Sequence, residues 1–390
     1  MQILVQKFGG TSVASTSKII NAATKVVQSF LDGYKPIVVV SAMAGVTNQL
    51  ISYCSEISKL HKADNLVEYD AAISNGENIS AALMALALQN LGMKARSFQG
   101  WQIPIITNAN SSKALIEGID SGLLMKSLEN GVIPVITGFQ GINTSGQITT
   151  LGRGGSDITA VAIAASTKAY QCDIYTDVAG VYTADPRFVP SAKKLENMSY
   201  EEMLEFSVLG AKVLHWRAVE IAMKYQVPTR VLSTFENAGG TLIYSKANIM
   251  EKVQITGIAY NDKIIIIKTK SAQRLQDIIL EFSNENISIN NISLNDDTCT
   301  LMAALIDLPI IKNIFNKLKL QWEYNSDVAL ISVVGIGINN DINILNTIIN
   351  IVGDYMTELS LTSTKINFIY PLNKLESSIK LLHKALIESN

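Results

Sequence analysis

The sequence predicts an α/β fold, a three-layer αβα sandwich with a mainly parallel sheet, followed by a smaller α+β region. Short β-branched runs alternate with segments of helical periodicity from the start to about residue 245. Glycine-rich turns follow several of these runs, and beyond about residue 250 the chain becomes rich in Ile and Asn. Because 390 residues exceed one ordinary core, we expect two or three domains.

Composition narrows the class of protein. The apolar fraction of 48% and the charged fraction of 17% are typical of a folded globular chain, and no run of apolar residues is long enough to span a bilayer. The N-terminus carries no export signal, and the three cysteines are too few and too scattered for a disulfide framework. We therefore expect a cytoplasmic protein without a membrane partner.

Charge and histidine content indicate a small-molecule partner. Lys and Arg total 32 against 34 Asp and Glu, and the charges are scattered, which argues against nucleic-acid binding. The spacing of the histidines matches no zinc site and no catalytic triad: His61, His215 and His383. We expect each of them to be a surface or packing residue and predict no protein-bound metal site.

In the first region the candidate strands are 2–6, 37–41, 103–107, 132–137, 172–176 and 229–232. Apolar residues at helical spacing predict one helix between Ile19 and Leu31, ended by Gly33, and another between Gly76 and Gly92. Ligands of open α/β sheets bind at the carboxyl ends of the strands. We therefore look for chemistry in the turns that follow the strands.

The second region has candidate strands at 253–260, 263–269, 287–293, 298–306, 328–336 and 365–370. Helices fit near 271–284, 309–319, 341–353 and 372–387. This pattern is a β-α-β-β-α unit of about 65 residues that occurs twice. No convergent set of charged or nucleophilic residues accompanies it, so binding or assembly is the expected role.

The turn after the first strand reads Lys7-Phe8-Gly9-Gly10-Thr11-Ser12-Val13. Two glycines allow close backbone approach before a helix begins, which suits a phosphate. The lysine precedes the glycines, so the turn is not a P-loop. A tight strand-to-helix turn without a ligand explains this segment equally well.

A second glycine-rich turn reads Leu151-Gly152-Arg153-Gly154-Gly155-Ser156-Asp157 and leads into a helical run, 158–165. It predicts another anion site at a helix N-terminus. Ser156 or Asp157 is a candidate cap of that helix, which is the alternative role for the pair. Arg153 has a guanidinium fork suited to a carboxylate, and Asp157 has a carboxylate able to orient lysines or a metal ion.

A third segment leaves the strand at 172–176 and turns through Gly180 and Pro186, with an aromatic ring and charged groups on the way. A nucleotide base and ribose suit it, although a long turn without a ligand is the alternative. Its sequence is Tyr175-Thr176-Asp177-Val178-Ala179-Gly180-Val181-Tyr182-Thr183-Ala184-Asp185-Pro186-Arg187.

Together these segments resemble the amino-acid kinase superfamily and, within it, the aspartokinases. The resemblance spans the first 245 residues and includes segments 41–48 and 138–141, the pair Gly76-Glu77, and Gly210-Ala211-Lys212-Val213-Leu214-His215. The repeated tail resembles the paired ACT domains of these kinases. The resemblance implies a catalytic domain over 1–245, one ACT-like domain over 263–327, and a second over 328–390 with 250–262.

The resemblance also implies an activity and its residues. The chain is expected to transfer the γ-phosphate of ATP, with Mg²⁺, to the β-carboxylate of L-aspartate, giving 4-phospho-L-aspartate for lysine, threonine and methionine biosynthesis. The expected catalytic residues are Lys7, Asp157 and Lys212. The expected nucleotide contacts are Lys7, Gly9, Gly10, Ser12, Thr176, Asp177, Tyr182, Asp185, Arg187 and Lys212. The expected aspartate pocket contains Ser41, Thr47, Glu77, Arg153 and Ser156, with Glu77 suited to the ammonium and Arg153 to a carboxylate.

Regulation and assembly follow from the tail. The resemblance implies an amino-acid effector, lysine or threonine, at the ACT-like domains and a homodimer or higher homo-oligomer. The turn 271–274 lacks the Pro-Gly pair associated with effector binding. The rival kinases of the superfamily act on glutamate, acetylglutamate, carbamate or a nucleoside monophosphate, and a catalytically inactive sensor is the rival from another class. Thr47, Glu77 and Arg153 argue against the former, and Lys7, Asp157 and Lys212 against the latter.

Overall fold

The computed structural model describes residues 2–58, 63–209, 213–245, 254–285, 287–295 and 297–389. These residues form two compact units. Unit 1 contains the described residues of 2–181, 194–208 and 213–245, and unit 2 contains 182–193, Leu209 and those from 254 onward. Within the described ranges, no helix combines the length and the apolar character needed to cross a membrane.

The strands and helices of unit 1 are, in chain order, β1 (Ile3–Phe8), α1 (Thr16–Leu31), β2 (Lys35–Val40), α2 (Val46–Ile57), α3 (Ala63–Ile73), α4 (Asn75–Asn90), β3 (Ala95–Phe98), β4 (Ile105–Thr107), β5 (Ile116–Ile119), α5 (Gly122–Glu129), β6 (Ile133–Thr137), β7 (Gln140–Asn143), β8 (Ile148–Thr150), α6 (Gly155–Ser166), β9 (Gln171–Thr176), β10 (Asn197–Ser199), α7 (Tyr200–Val208), α8 (Trp216–Tyr225), β11 (Thr229–Ser233) and β12 (Thr241–Tyr244).

An eight-stranded sheet organises unit 1, in the order β3-β6-β2-β1-β9-β11-β12-β10. All neighbouring strands are parallel except β11 and β12. A smaller mixed sheet has the order β5-β4-β7-β8. The central strands are continuously apolar because helices cover both faces of a parallel sheet, as the buried run of β2 illustrates. The predicted α/β fold is confirmed.

A serine cap and regularly spaced apolar residues define the helix α1. Ser15 caps α1 by accepting a hydrogen bond from the Lys18 amide, and the apolar face of α1 carries Ile19 and Val26 into a fully buried cluster. That cluster also contains Phe8 of β1 and Met84 of α4. The cluster packs α1 and α4 against the sheet, which fixes where the carboxyl ends of β1 and β2 lie.

Unit 2 contains, in chain order, β13 (Gln254–Asn261), β14 (Ile264–Thr269), α9 (Leu275–Asn284), β15 (Ile289–Asn295), β16 (Thr298–Ala304), α10 (Leu308–Leu318), β17 (Trp322–Asn325), β18 (Val328–Ile336), α11 (Ile342–Val352), β19 (Glu358–Leu361), β20 (Lys365–Pro371) and α12 (Leu375–His383). A five-residue π-helix, Lys384–Glu388, continues α12.

Two antiparallel four-stranded sheets form unit 2, with the orders β15-β16-β14-β17 and β13-β18-β20-β19. The run of four isoleucines in β14 shows how the two faces of its sheet are covered. Ile265 and Ile267 pack against the helices α9 and α10, whereas Ile264 and Ile266 join a second buried cluster with residues of β18 and β20. Each isoleucine therefore has a buried position on one of the two faces.

Segment 182–193 groups with unit 2, although it lies far from the tail in sequence. Ala184 and Val189 belong to the same buried cluster as residues of β18, α11, β20 and α12. The expected catalytic domain of residues 1–245 is thus interrupted in space by this segment. The sequence pattern gave no indication of the interruption.

Candidate active site

A cleft opens where the carboxyl ends of β1, β2 and β6 meet the N-terminus of α6. It has a volume of about 190 Å³. Its lining contains seven residues expected from the sequence: Lys7, Ser41, Thr47, Glu77, Arg153, Ser156 and Asp157. The structure therefore brings together side chains from four separate segments of unit 1.

Lys7 and Asp157 form an ion pair at the base of the cleft. Nζ of Lys7 lies 2.6 Å from Oδ1 of Asp157, and the two side chains are only 10% and 12% exposed. The contact lacks hydrogen-bond geometry, so it is a charge contact rather than a directed bond. Lys7 projects from β1 between Val39 of β2 and Ile174 of β9, which fixes the start of its side chain.

The N-terminus of α6 forms one wall. Gly154, Gly155, Ser156 and Asp157 all line the cleft, so the positive end of the helix dipole faces it. The proposed capping by Ser156 or Asp157 is wrong, because α6 begins at Gly155 and its N-cap is Gly154, which makes no side-chain cap. Both polar side chains lie in the first turn of the helix, where Asp157 pairs with Lys7 and Ser156 lines the cleft.

Glu77 forms another wall of the cleft, and its carboxylate is almost completely buried. The side chain is 4% exposed, its Oε1 accepts a hydrogen bond of 2.9 Å from the Ala42 amide, and its buried Oε2 has no hydrogen-bond partner in the described part of the chain. Burial raises the pKa of Glu77 to about 7, against the opposing effect of the Ala42 hydrogen bond. A cation that reached Oε2 would favour the charged form.

Two residues that the sequence did not single out hold the segment of Arg153. The guanidinium of Arg217 donates to the carbonyl oxygens of Leu151 at 2.6 Å and of Ala114 at 2.8 Å. Asp70, fully buried, accepts from the amide and the hydroxyl of Thr150, at 2.9 and 2.6 Å. They anchor Thr150 and Leu151, which shortly precede the exposed Arg153.

Phe139 also lines the cleft and was not expected as a site residue. It has a φ of 72°, and its amide donates to Oγ1 of Thr159 in α6. The neighbouring Gly138 leaves room for this approach, because a side-chain carbon there would lie 2.6 Å from Ser156. The signal was available in the resemblance, whose motifs include residues 138–141.

The expected phosphate turn after β1 lies beside the cleft and does not line it. A side-chain carbon added to Gly9 would be 3.4 Å from Nζ of Lys7, and one added to Gly10 would be 3.0 Å from the Ala42 oxygen. Ser12 is fully buried and its hydroxyl lies 2.6 Å from that of Thr234. The expected phosphate contact of Ser12 stays a prediction, and the structure shows this contact within the core beside it.

The remaining expected nucleotide residues lie in two places. Thr176 and the exposed Asp177 follow β9 in unit 1, where the Thr176 hydroxyl donates to Asp177 at 3.2 Å. Segment 182–193 of unit 2 carries the others, which are Tyr182, Asp185 and Arg187. Lys212 lies outside the described residues.

Asp185 and Arg187 are paired with each other. The guanidinium of Arg187 forms three hydrogen bonds to the Asp185 carboxylate, two from Nε and one from Nη2, and Tyr260 of β13 donates to the same carboxylate at 2.9 Å. Burial acts to raise the pKa of Asp185, but these hydrogen bonds outweigh it and hold the pKa below its ordinary value. The Arg187 side chain remains 80% exposed.

The cleft thus offers a buried lysine, a helix N-terminus, an exposed arginine and a carboxylate with a free oxygen. This set suits a ligand that carries both a cation and several anionic groups. Over the described ranges, no three His, Cys, Asp or Glu side chains cluster as metal ligands.

Comparison with known proteins agrees with this geometry. The sequence profile of the amino acid kinase family matches residues 2–233. The aspartokinase of Rickettsia felis is 45% identical over 364 residues, covering 90% of each chain, and that of Geobacillus stearothermophilus is 38% identical over 398 residues, covering 99% of this chain and 97% of its own.

Solved structures agree on the fold. The crystal structure of Escherichia coli aspartokinase III with aspartate and ADP (R-state) covers 99% of this chain and 100% of its own with a TM-score of 0.85 at 24% identity. The same enzyme with lysine and aspartate (T-state) has a TM-score of 0.79. The family profile, the full-length relatives and the cleft at the sheet edge lead to one assignment: the chain belongs to the amino acid kinase family and, within it, to the aspartokinases.

Proposed function

We propose that the cleft transfers the γ-phosphoryl group of ATP to the β-carboxylate of L-aspartate, giving 4-phospho-L-aspartate. The observation that carries the proposal is the buried Glu77 carboxylate, whose Oε2 lacks a partner among the described residues, in the cleft that also holds Lys7 and Asp157. An α-amino acid brings the cation that Oε2 lacks. Burial of the ionised carboxylate without a partner costs free energy, and binding of such a cation would offset that cost.

The reaction needs no general base. A β-carboxylate has an unperturbed pKa of about 4, so the nucleophile is already ionised at neutral pH. The obstacle is the approach of this anion to a triphosphate, which positioning and neutralisation overcome. Lys7 supplies a preformed cation, and one charge at about 4 Å with an effective dielectric near 20 contributes on the order of 4 kcal/mol.

Roles for the aspartate pocket follow from its chemistry. Glu77 receives the α-ammonium, and Arg153, exposed and anchored through Leu151, receives a carboxylate in its guanidinium fork. Ser41 and Thr47 are hydroxyl donors after β2, and Ser156 is a donor in the first turn of α6. Asp157 holds Lys7 extended toward the transferring group.

Nucleotide binding is assigned to the turn after β1 and the segments after β9. Lys7, Gly9, Gly10 and Ser12 hold the phosphates, and the two glycines give the phosphates close access to the backbone. Thr176, Asp177, Tyr182, Asp185 and Arg187 contact the base and ribose, and Lys212 approaches the phosphates. Mg²⁺ enters bound to the ATP oxygens and neutralises their charge.

The tail is proposed to sense an amino acid. Residues 263–327 form one ACT-like domain and 328–390 with 250–262 the other, in keeping with the pairing of β14 to β17 in one sheet and of β13 with β18 to β20 in the other. Lysine or threonine is the proposed effector, and a homodimer or higher homo-oligomer in the cytosol is the proposed form.

The test is ATP-dependent formation of hydroxamate with Mg²⁺ and hydroxylamine, which traps acyl phosphates. L-Aspartate should give product, whereas L-glutamate, N-acetylaspartate and reactions without ATP should not. Adding lysine or threonine tests the effector separately. Absence of product from aspartate under all these conditions would contradict the proposed activity and favour a sensor.

A further inference from the structure

Segment 182–193 is a loop with a closed neck. The Thr183 amide donates to the Lys193 oxygen at 2.9 Å, and the Lys193 amide donates to Oγ1 of Thr183 at 3.0 Å. Between these two residues the chain buries Ala184 and Val189 and exposes Arg187. The position of the neck therefore determines where the loop presents its exposed groups.

Two elements of unit 2 hold this neck. The Thr183 oxygen accepts a hydrogen bond of 2.7 Å from the Ile258 amide of β13. Oγ1 of Thr183 lies 2.9 Å from Nε2 of His383, the last residue of α12, which is 1% exposed. Residues 200 positions apart in sequence thus meet in a buried polar contact.

The other side of the His383 ring is also engaged. Nδ1 lies 3.1 Å from Oε1 of Glu388, and the Ser191 hydroxyl donates to the same carboxylate oxygen. Glu388 reaches the ring because residues 384–388 form a π-helix, whose repeat brings residues five apart onto one side. The π-helix therefore has a specific structural use in this chain.

The groups around the His383 ring indicate that its Nδ1 is a hydrogen-bond donor. The Glu388 carboxylate accepts from Ser191, which lowers its pKa, and in its ionised form it is an acceptor only, so Nδ1 carries the ring proton and donates to it. The Thr183 hydroxyl, whose oxygen also accepts from the Lys193 amide, forms the hydrogen bond with Nε2 on the other side of the ring.

We propose that His383 is a positioning residue for nucleotide binding: held by Glu388 on one side of its ring, it fixes the neck of the 182–193 loop through Thr183 on the other. The inference rests on the proposed function, in which Tyr182 and Arg187 of this loop contact the nucleotide. His383 touches neither substrate. Its effect is on the placement of the loop, and hence on affinity for ATP.

Two substitutions at His383 distinguish the contact made by Nε2 from the contact made by Nδ1. The Gln amide reaches the place of Nε2 and keeps a hydrogen-bond partner for Thr183, whereas the Asn amide reaches the place of Nδ1 and keeps only the contact with Glu388. His383→Asn should raise the KM for ATP about tenfold, the effect of losing one buried hydrogen bond. His383→Gln should remain within about threefold of wild type.

Two substitutions at Thr183 test the same contact while His383 is unchanged. Thr183→Val removes the hydroxyl at nearly constant volume and should raise the KM for ATP as His383→Asn does. Thr183→Ser keeps the hydroxyl and should restore it. In all four variants kcat at saturating ATP and the KM for aspartate should stay within about twofold of wild type, because the aspartate cleft is untouched.

The inference is overturned if His383→Asn and Thr183→Val leave the KM for ATP unchanged, or if Asn and Gln act alike. It is also overturned if kcat and both KM values worsen together, since that indicates general destabilisation. Failure of the proposed function is a separate result, seen as absent aspartate-dependent turnover by wild type. Titration calorimetry of ADP with Mg²⁺ then tests the same four variants by affinity alone.

Discussion

Oε1 of Glu77 accepts a hydrogen bond of 2.9 Å from the amide of Ala42, while Oε2 of the same carboxylate is buried without a hydrogen-bond partner in the described part of the chain. One oxygen is fixed by the backbone after β2 and the other is left for a ligand. The ionisation of Glu77 should therefore affect both the pH dependence of aspartate binding and the stability of the protein.

Aspartate capture should depend on the ionisation of Glu77. Its pKa is about 7 in the free enzyme, and the substrate ammonium requires the ionised form, so kcat/KM for aspartate should rise as pH increases through about 7. Glu77→Gln should abolish this limb and lower kcat/KM at pH 8 about ten- to hundredfold, the range for a lost charged hydrogen bond. Initial rates between pH 5.5 and 8.5 measure both.

Succinate is the matched substrate for this experiment, because it has the two carboxylates of aspartate and no ammonium. Its use should be poor in both enzymes and nearly unaffected by the substitution. A wild-type aspartate profile without an ionisation near neutrality, or an unchanged kcat/KM in Glu77→Gln, would remove Glu77 from the binding site.

The same carboxylate should cost stability at high pH. Because the folded-state pKa of about 7 lies above the ordinary glutamate pKa of 4.5, the native state binds more protons between these values, and stability falls as pH rises across this window. Glu77→Gln keeps an acceptor for the Ala42 amide and has no charge to bury. Its Tm should exceed that of wild type at pH 8 and match it near pH 4.5, as measured by calorimetry without ligands. A difference of the opposite sign would show that Glu77 is stabilised as an anion.

Lys7 is predicted to act mainly on turnover. Lys7→Ala should lower kcat about a hundredfold or more, the cost of losing one preorganised charge donor. The KM for aspartate should change little. Asp157 loses its cation, so circular dichroism must establish folding at the assay temperature. Lys126→Ala, at an exposed position of α5, is the control and should be indistinguishable from wild type. Near-normal turnover of Lys7→Ala would contradict the assignment.

Gly154 is predicted to accept no side chain. It has a φ of 73°, and a side-chain carbon would lie 2.3 Å from the ring of His215. Gly146 has a similar φ of 76°, with open space around it. Gly146→Ala should cost only the backbone strain of about 1 kcal/mol. Gly154→Ala should cost more stability and also distort the start of α6, so its kcat/KM should fall at least about tenfold. Equal effects of the two would show that the contact with His215 does not matter.

Much of this architecture was accessible from the sequence. The continuous apolar runs of β1, β2 and β6 predict buried parallel strands, and the glycine-rich turns after them predict where a ligand binds. The family resemblance assigned Lys7, Glu77 and Asp157 to one site, and the structure brings them into one cleft. Local pattern and general topology thus indicate where the site lies, and the resemblance supplies its individual residues.

Contacts between distant segments were not accessible. Arg217 reaches a carbonyl 103 positions earlier, and Asp70 reaches Thr150 80 positions later. Neither has a local signature, because an isolated Arg or Asp in a helical pattern reads as a surface residue. The assignment of a cap to Ser156 or Asp157 failed for a related reason: both are good caps, but Gly154 in the left-handed region already ends the turn.

The regiochemistry of the product tests the central claim most directly. Wild-type enzyme with ATP, Mg²⁺ and L-aspartate is treated with borohydride, which reduces an acyl phosphate to the alcohol, and the amino alcohol is identified by mass spectrometry and chromatography. Phosphorylation of the β-carboxylate predicts homoserine, with formation strongly reduced in Lys7→Ala. The isomeric alcohol from the α-carboxylate, or no ATP-dependent reduction product, would contradict the account.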